Sequence, residues 1–193
     1  PYIGRPVVPC MDIVHDRVTL EIMRGCTRGC RFCQAGYIYR PIRERKTETL
    51  LCQAKELVAA TGYDEISLMS LSSGDYSEIH ELIPAILDSM GKEHVNVALP
   101  SLRVDSLLKE ELQRMNDVRK AGLTFAPEAG TQRLRDVINK NITEEDIFRA
   151  CRDAFEAGWT DVKLYFMIGL PTETDEDIVG IAELCRKISG IFY

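Results

Sequence analysis

Hydrophobic and polar positions alternate with a period of two over residues 17–24, with Val18, Leu20 and Ile22 on one side and Thr19, Glu21 and Met23 on the other. That spacing predicts a β-strand, because successive strand side chains point to opposite faces. The period becomes helical over 47–61, where Leu50, Leu51, Ala54, Leu57 and Val58 share a stripe and Gly62 supplies the stop. The two-part unit recurs. Strands are predicted over 65–70, 95–100, 123–127 and 161–168, and helices over 77–90, 106–117, 131–138, 143–157 and 174–189. Thr143-Glu144-Glu145-Asp146 opens the 143–157 helix as a near capping box, and Gly158 closes it.

Strand–helix alternation with connections of this length specifies a parallel sheet with right-handed crossovers. Each strand has one aliphatic face, while the opposite faces carry Glu65/Ser67/Met69, Asn96/Ala98, Thr124/Ala126/Glu128 and Lys163/Tyr165/Met167. A sheet covered by helices on both sides would be apolar on both, so helices are expected on one side only, around a polar concave interior. The expected fold class is α/β, a partial (β/α) barrel of parallel strands with its working groups at the C-terminal strand ends. Five strand–helix units occupy residues 17–193. Residues 1–16, with Pro1, Pro6 and Pro9, read as an extended linker or edge segment tethering a preceding domain.

The first strand runs into Arg24-Gly25-Cys26-Thr27-Arg28-Gly29-Cys30-Arg31-Phe32-Cys33, in which three cysteines stand at C-x3-C-x2-C. A short irregular loop with this spacing can turn three sulfurs towards one point. Thiolates select soft metals, chiefly zinc and iron–sulfur clusters, and either site ordinarily takes four protein ligands. Here the local count is three. A four-iron cube held by three thiolates leaves one iron open to chelation by a small molecule bearing an amine and a carboxylate. The alternative is a non-catalytic zinc or iron–sulfur module whose fourth ligand comes from Cys10 or a partner chain. Cys52, Cys151 and Cys185 fall inside predicted helices, where cysteine behaves as a small hydrophobe.

The cysteine spacing, with Phe32 just before the third cysteine, resembles the signature of the radical S-adenosylmethionine (radical SAM) superfamily. Later stretches are similar to its methylthiotransferase-like and cobalamin-associated branches. The resemblance implies a 4Fe-4S cluster on Cys26, Cys30 and Cys33 that passes one electron to S-adenosylmethionine. The cofactor then breaks into methionine and a 5′-deoxyadenosyl radical, which takes hydrogen from a substrate. It also implies cofactor contacts. Ser73, Gly74 and Asp75, in a stretch that departs from the commoner Gly-Gly-Glu form, would hold the amino group, and Arg103 the carboxylate. Glu128, in Ala126-Pro127-Glu128-Ala129-Gly130-Thr131, would meet the ribose hydroxyls. Backbone at Ile168 and Gly169 would lie against the adenine, with Phe32 on its other flank.

Asp75 also suits a turn before Ser77, and Gly169 a plain strand-to-helix turn. Lys163, Tyr165 and Glu21 face inward, either as substrate contacts or as a buried Glu21–Lys163 pair. The resemblance further implies an external electron donor, flanking domains, a substrate that is a small molecule, RNA or protein, and cobalamin carried by a domain outside this chain. Barrels of this family commonly have six units. The chain is therefore expected to stop before a sixth strand, leaving 161–168 as an edge prone to pair with itself.

Composition narrows the setting. A chain of 193 residues with 45% hydrophobic and 28% charged residues suits one soluble domain. No apolar run approaches about 18 residues, so no membrane-spanning helix is expected. Seven unevenly spaced cysteines without a secretory signal indicate a reducing, cytoplasmic compartment rather than a disulfide framework. The net charge of −6 conceals an asymmetry: residues 24–46 hold seven cations against Glu44 alone, +6 locally, which leaves −12 for the rest. An anionic substrate, a nucleic-acid backbone, compensation of the cluster and its thiolates, or a merely solvated loop would each suit that patch. The overall acidity argues against extensive non-specific nucleic-acid binding.

Overall fold

A computed structural model describes residues 2–11, 13–90, 95–98, 113 and 122–192. Strands β1 (Val18–Glu21), β4 (Glu65–Met69) and β5 (Asn96–Ala98) form a parallel sheet in the order β1-β4-β5, with Leu20 opposite Leu68 and Ile66 opposite Val97. A second parallel pair joins β6 (Thr124–Glu128) to β7 (Lys163–Phe166). Five parallel strands are thus arranged as a partial (β/α) barrel. The helix expected over 106–117 lies almost wholly outside the described residues, as does Arg103.

Helices cover the aliphatic faces as expected. Helix α2 (Thr47–Thr61) and α3 (Ile79–Met90) bury Leu50, Leu57, Ile79, Ile83 and Ile86 against Val18, Leu20, Ile66, Leu68 and Val97. A second core joins Phe125 of β6 to Ile147, Cys151 and Ala154 of α5 (Glu144–Glu156) and to Leu184 and Ile188 of α6 (Asp175–Phe192). Each buried aliphatic contributes about 1.5–3 kcal/mol, against about 0–1 kcal/mol for an exposed ion pair. One-sided burial therefore orients the sheets. On the uncovered side Thr19, Met69, Lys163 and Tyr165 are exposed, while Ser67 and Asn96 are buried.

Three expectations require correction. The first strand does not run unbroken over 17–24. At Ile22 the backbone changes partners, its N–H donating to Met69 O (3.1 Å) and its carbonyl accepting from Arg45 N (3.0 Å). Beyond it β2 (Met23–Arg24) pairs antiparallel with β3 (Arg43–Glu44), inside the stretch expected to be loop. Met23, expected on the open side, is consequently buried. Glu21 does not meet Lys163; it accepts from Arg24 (2.8 Å) and Arg45 (3.0 Å), and the Arg24 bond leads in holding its carboxyl below the usual range. Cys52 and Cys185 are exposed, whereas Cys151 is buried, and burial pushes its thiol up to about 12.

The 143–157 helix begins with the expected box, Thr143 and Asp146 exchanging side-chain and backbone bonds. Helix α6 is anchored at its third residue. Asp177, its side chain only 1% exposed, accepts from Arg133, Thr131 and the Thr174 N–H and hydroxyl. The Arg133 bond is the largest of the influences holding its carboxyl well below the usual carboxylate range. Gly130 lets this helix approach: a Cβ there would lie 2.5 Å from Asp177 O and 2.6 Å from the carbonyl carbon of Gly180. No helix among the described residues is long and apolar enough to cross a membrane.

Two stability outcomes follow from the α6 anchor. Gly130→Ala should lower the denaturation midpoint with an unchanged m value, by about 1–3 kcal/mol as an overpacked site, because backbone must move to admit the methyl. Asp177 has a depressed pKa, so its contribution is complete above the unfolded value of about 3.9 and is lost as pH falls through the folded one. Thermal melts from pH 6 to pH 3 should fall more steeply for the unaltered chain than for Asp177→Asn, which starts less stable.

Candidate active site

Pairing of β2 with β3 closes the cysteine loop at its base, setting Met23 opposite Glu44 and Arg24 opposite Arg43. Just above, Cys26 N donates to Tyr39 O (3.3 Å). Gly25 turns the chain with φ +95°, and a Cβ on it would meet Tyr39 O at 2.7 Å and Pro41 O at 3.0 Å. Only glycine combines that dihedral with such closeness. Cys33 N donates to Cys30 O (3.0 Å) as the loop turns into the short α1 (Ala35–Ile38). Cys30 is buried and Cys26 and Cys33 are half-buried, and none of the three forms a disulfide.

The spacing led to the expectation that three sulfurs point to one place. The side chains do not yet do so: among the described residues no group of three or more His, Cys, Asp or Glu side chains converges as a metal site. The donor set nevertheless fits an iron–sulfur cluster chemically, with three thiols on one loop, a backbone N–H of Arg28 aimed at Cys26 Sγ (3.5 Å), and no disulfide consuming them. N–H···S bonds of this kind accompany ligating thiolates.

At the end of β4, the 3-10 turn Ser73–Asp75 carries the expected amino-group stretch. Ser73 is fully buried, its hydroxyl bonded to Ser70 Oγ (2.9 Å) and Leu68 O (3.1 Å). Ser72 is different. Its hydroxyl is buried and makes no hydrogen bond among the described residues, a condition shared by Asn96 Oδ1 and Arg135 Nε. Asp75 is engaged by Arg28 of the cysteine loop, Nε to Oδ2 at 2.7 Å and Nη2 to Oδ1.

Across the loop, Glu128 has φ +70°, a conformation that non-glycine residues seldom adopt. It follows a register shift in which Phe125 to Glu128 on β6 face Leu164 to Phe166 on β7, one residue in excess on β6. Such bulges re-aim side chains beside active sites. Glu128 accepts from Lys140 Nζ (3.0 Å), and the same ammonium stands 5.9 Å from the Phe32 ring centroid. Two expected residues, Glu128 and Phe32, are thereby brought to one cation.

Met167 N donates to Glu128 O (2.8 Å), so the end of β7 runs alongside. There Ile168 is exposed and Gly169 has φ +89° with open space where a Cβ would stand. The Gly169 N–H is held by Glu173 Oε2 (2.6 Å).

Four residues escaped the sequence reading: Arg28, Arg135, Asn139 and Lys140. Arg135 is completely buried, and its Nη1 donates to Ala129 O (2.9 Å) directly after Glu128; burial lowers its pKa. Asn139 Nδ2 donates to Gly29 O (2.9 Å). The sequence signal was the polar run Asn139-Lys140-Asn141 between two helices, where left-handed asparagines are frequent.

The chain matches the description "Radical SAM superfamily" over residues 20–185. It is 46% identical to an uncharacterized protein of Methanocaldococcus jannaschii over 88% of this chain and 36% of that protein. It is 24% identical to a tRNA-2-methylthio-N(6)-dimethylallyladenosine synthase of Caldicellulosiruptor saccharolyticus over 88% of this chain and 37% of that one. The chain thus spans little more than a third of the relatives it matches. The fold is shared with the radical S-adenosylmethionine methyltransferase TsrM from Kitasatospora setae, solved with cobalamin and a [4Fe-4S] cluster, at a TM-score of 0.74, 13% identity, and coverage of 89% of this chain and 34% of that one. It is also shared with the cobalamin-dependent S-adenosylmethionine radical enzyme OxsB, at a TM-score of 0.68, 17% identity, and coverage of 86% and 26%. The match over residues 20–185 makes this chain a member of the radical SAM superfamily.

Proposed function

We propose that this chain is the catalytic core of a larger radical SAM oxidoreductase in a reducing, cytoplasmic compartment. Its 4Fe-4S cluster and S-adenosylmethionine would supply a 5′-deoxyadenosyl radical for hydrogen abstraction from a substrate. The observation that carries the reading is the conjunction at the strand ends of the three-cysteine loop, the buried Ser72 hydroxyl that has no partner among the described residues, and Glu128 with its left-handed backbone.

Cys26, Cys30 and Cys33 would hold the cluster. Ser73, Gly74 and Asp75 would accept from the cofactor's ammonium, joined by the Ser72 hydroxyl, and Arg103 would receive its carboxylate. Glu128, steered by Lys140, would accept from the ribose hydroxyls. Phe32, with backbone at Ile168 and Gly169, would enclose the adenine, for which the open left-handed Gly169 leaves room. Exposed Lys163 and Tyr165, their ammonium and ring 5.1 Å apart, lie on the uncovered face towards a substrate. An external donor would provide the electron. The flanking parts of the full-length protein would choose among a small molecule, RNA or protein and would carry any cobalamin, a reading supported by the fold shared with cobalamin-dependent enzymes.

Anaerobically reconstituted full-length protein, given S-adenosylmethionine and a strong reductant, should form 5′-deoxyadenosine and methionine in equal amounts by chromatography. Cys30→Ala should abolish both products. Glu128→Gln should raise the KM for S-adenosylmethionine about tenfold or more, since hydrogen bonds to a charged group are worth about 1.5–3 kcal/mol. A cluster-loaded protein whose spectrum is unmoved by S-adenosylmethionine would defeat the proposal.

A further inference from the structure

The loop carrying the cysteines is gripped from two directions. From the first sheet, Asp75 takes the Arg28 guanidinium through two parallel bonds, Nε to Oδ2 at 2.7 Å and Nη2 to Oδ1. The carboxylate side chain is 12% exposed and the arginine 32%, so the pair is shielded from solvent and salt far more than a surface pair. A two-pronged Arg–carboxylate contact also fixes orientation as well as distance. From the second sheet, the turn after α4 (Gln132–Val137) meets the loop's far half. Ile138 O accepts from Arg31 N (2.9 Å), Val137 O from Arg31 Nη1, and Asn139 Nδ2 donates to Gly29 O (2.9 Å). Asn139 and Asn141 both have φ +53°. This tight turn presents the Asn139 amide and the Ile138 carbonyl to the loop.

The gripped residues alternate with the thiols. Arg28 lies between Cys26 and Cys30, and its own N–H is the one aimed at Cys26 Sγ (3.5 Å). Gly29, held by Asn139, immediately precedes Cys30. We propose that Asp75 and Asn139 are positioning residues that clamp the cysteine loop between the two sheets. Asp75 acts through Arg28 on the hydrogen bond to Cys26 Sγ, and Asn139 acts through Gly29 on the entry to Cys30. The clamp rests on and extends the cofactor assignment above, giving this carboxylate a second task. Among the described residues, Asn139 donates to Gly29 O from its side chain and to Asp136 O from its backbone N–H.

The test uses the full-length protein in two states. Before cluster loading, hydrogen exchange read by mass spectrometry should show amides of residues 26–34 exchanging tenfold or more faster in Asp75→Asn and in Asn139→Ala, while those of α2 are unchanged. Arg28→Gln combined with Asp75→Asn should be no faster than either alone, and Asp75→Glu should restore most of the protection. After loading, Asn139→Ala and Asp75→Asn should each shift the cluster's midpoint potential, with the KM for S-adenosylmethionine unmoved in Asn139→Ala. Unchanged loop exchange in both variants, or additive effects of Arg28→Gln and Asp75→Asn, would overturn the clamp. A raised KM for Asp75→Asn with loop exchange at the unaltered rate would reduce Asp75 to a ligand contact and overturn its share. If loop exchange responds as expected but no 5′-deoxyadenosine forms, the clamp stands and the functional reading falls.

Discussion

Antiparallel pairing of Met23–Arg24 with Glu44–Arg43 is the constraint on which the site depends. It gathers both ends of the cysteine loop at the top of the first sheet, where the backbone of Ile22 leaves Met69 and turns to Arg45. Without that closure the three thiols would sit on a long excursion whose ordering costs about 1–2 kcal/mol per residue of backbone entropy. With it, only the interior of the loop has to be held, and its hydrogen bonds to neighbouring elements are few and specific. The wide-open dihedral of Gly25 belongs to the same arrangement, because any side chain there would push the returning strand away.

Electrostatics reinforces the geometry. The cations concentrated between residues 24 and 46 are not uniformly free in water. Arg24 and Arg45 converge on Glu21, and Arg28 meets Asp75. Much of the basic character of this stretch therefore goes into fastening the loop to acidic groups at the strand ends. On the opposite side Lys140 stands between Glu128 and the Phe32 ring. Apart from Arg24–Glu21, three residues apart, these contacts join residues at least twelve positions apart in sequence, so most of the polar rim is assembled by tertiary structure.

How legible this was in the chain divides along physical lines. Period-two and period-3.6 patterns disclosed the strands and helices because burial acts on every element in the same way. The Thr143–Asp146 box and the polar inward face were readable for the same local reason. Cysteine spacing and the Phe32 neighbour were enough to suggest the family. What could not be read was pairing between distant polar groups. Nothing in the order of residues says that Arg28 selects Asp75, or that Glu21 turns to Arg24 and Arg45 instead of Lys163. The β2–β3 ladder was hidden because two residues per strand are too few to show a period. Arg135, an arginine in an amphipathic helix, looked like a solvent-facing residue and is instead completely buried beneath the turn it supports.

The surplus residue in β6 has a wider meaning for how this barrel can vary. Thr124 and Phe125 keep step with Lys163 and Leu164 of β7, and Glu128 at the strand's end meets Phe166 one position late. Removing that single offset would restore an ideal ladder and improve the sheet as a sheet. Taking it out by deleting one residue would also exchange inside for outside at the strand's end, because a one-residue slip turns the following side chains to the other face. Regularity and usefulness are therefore opposed at this one place, and the chain keeps the irregular form together with the uncommon backbone dihedral of Glu128 that comes with it.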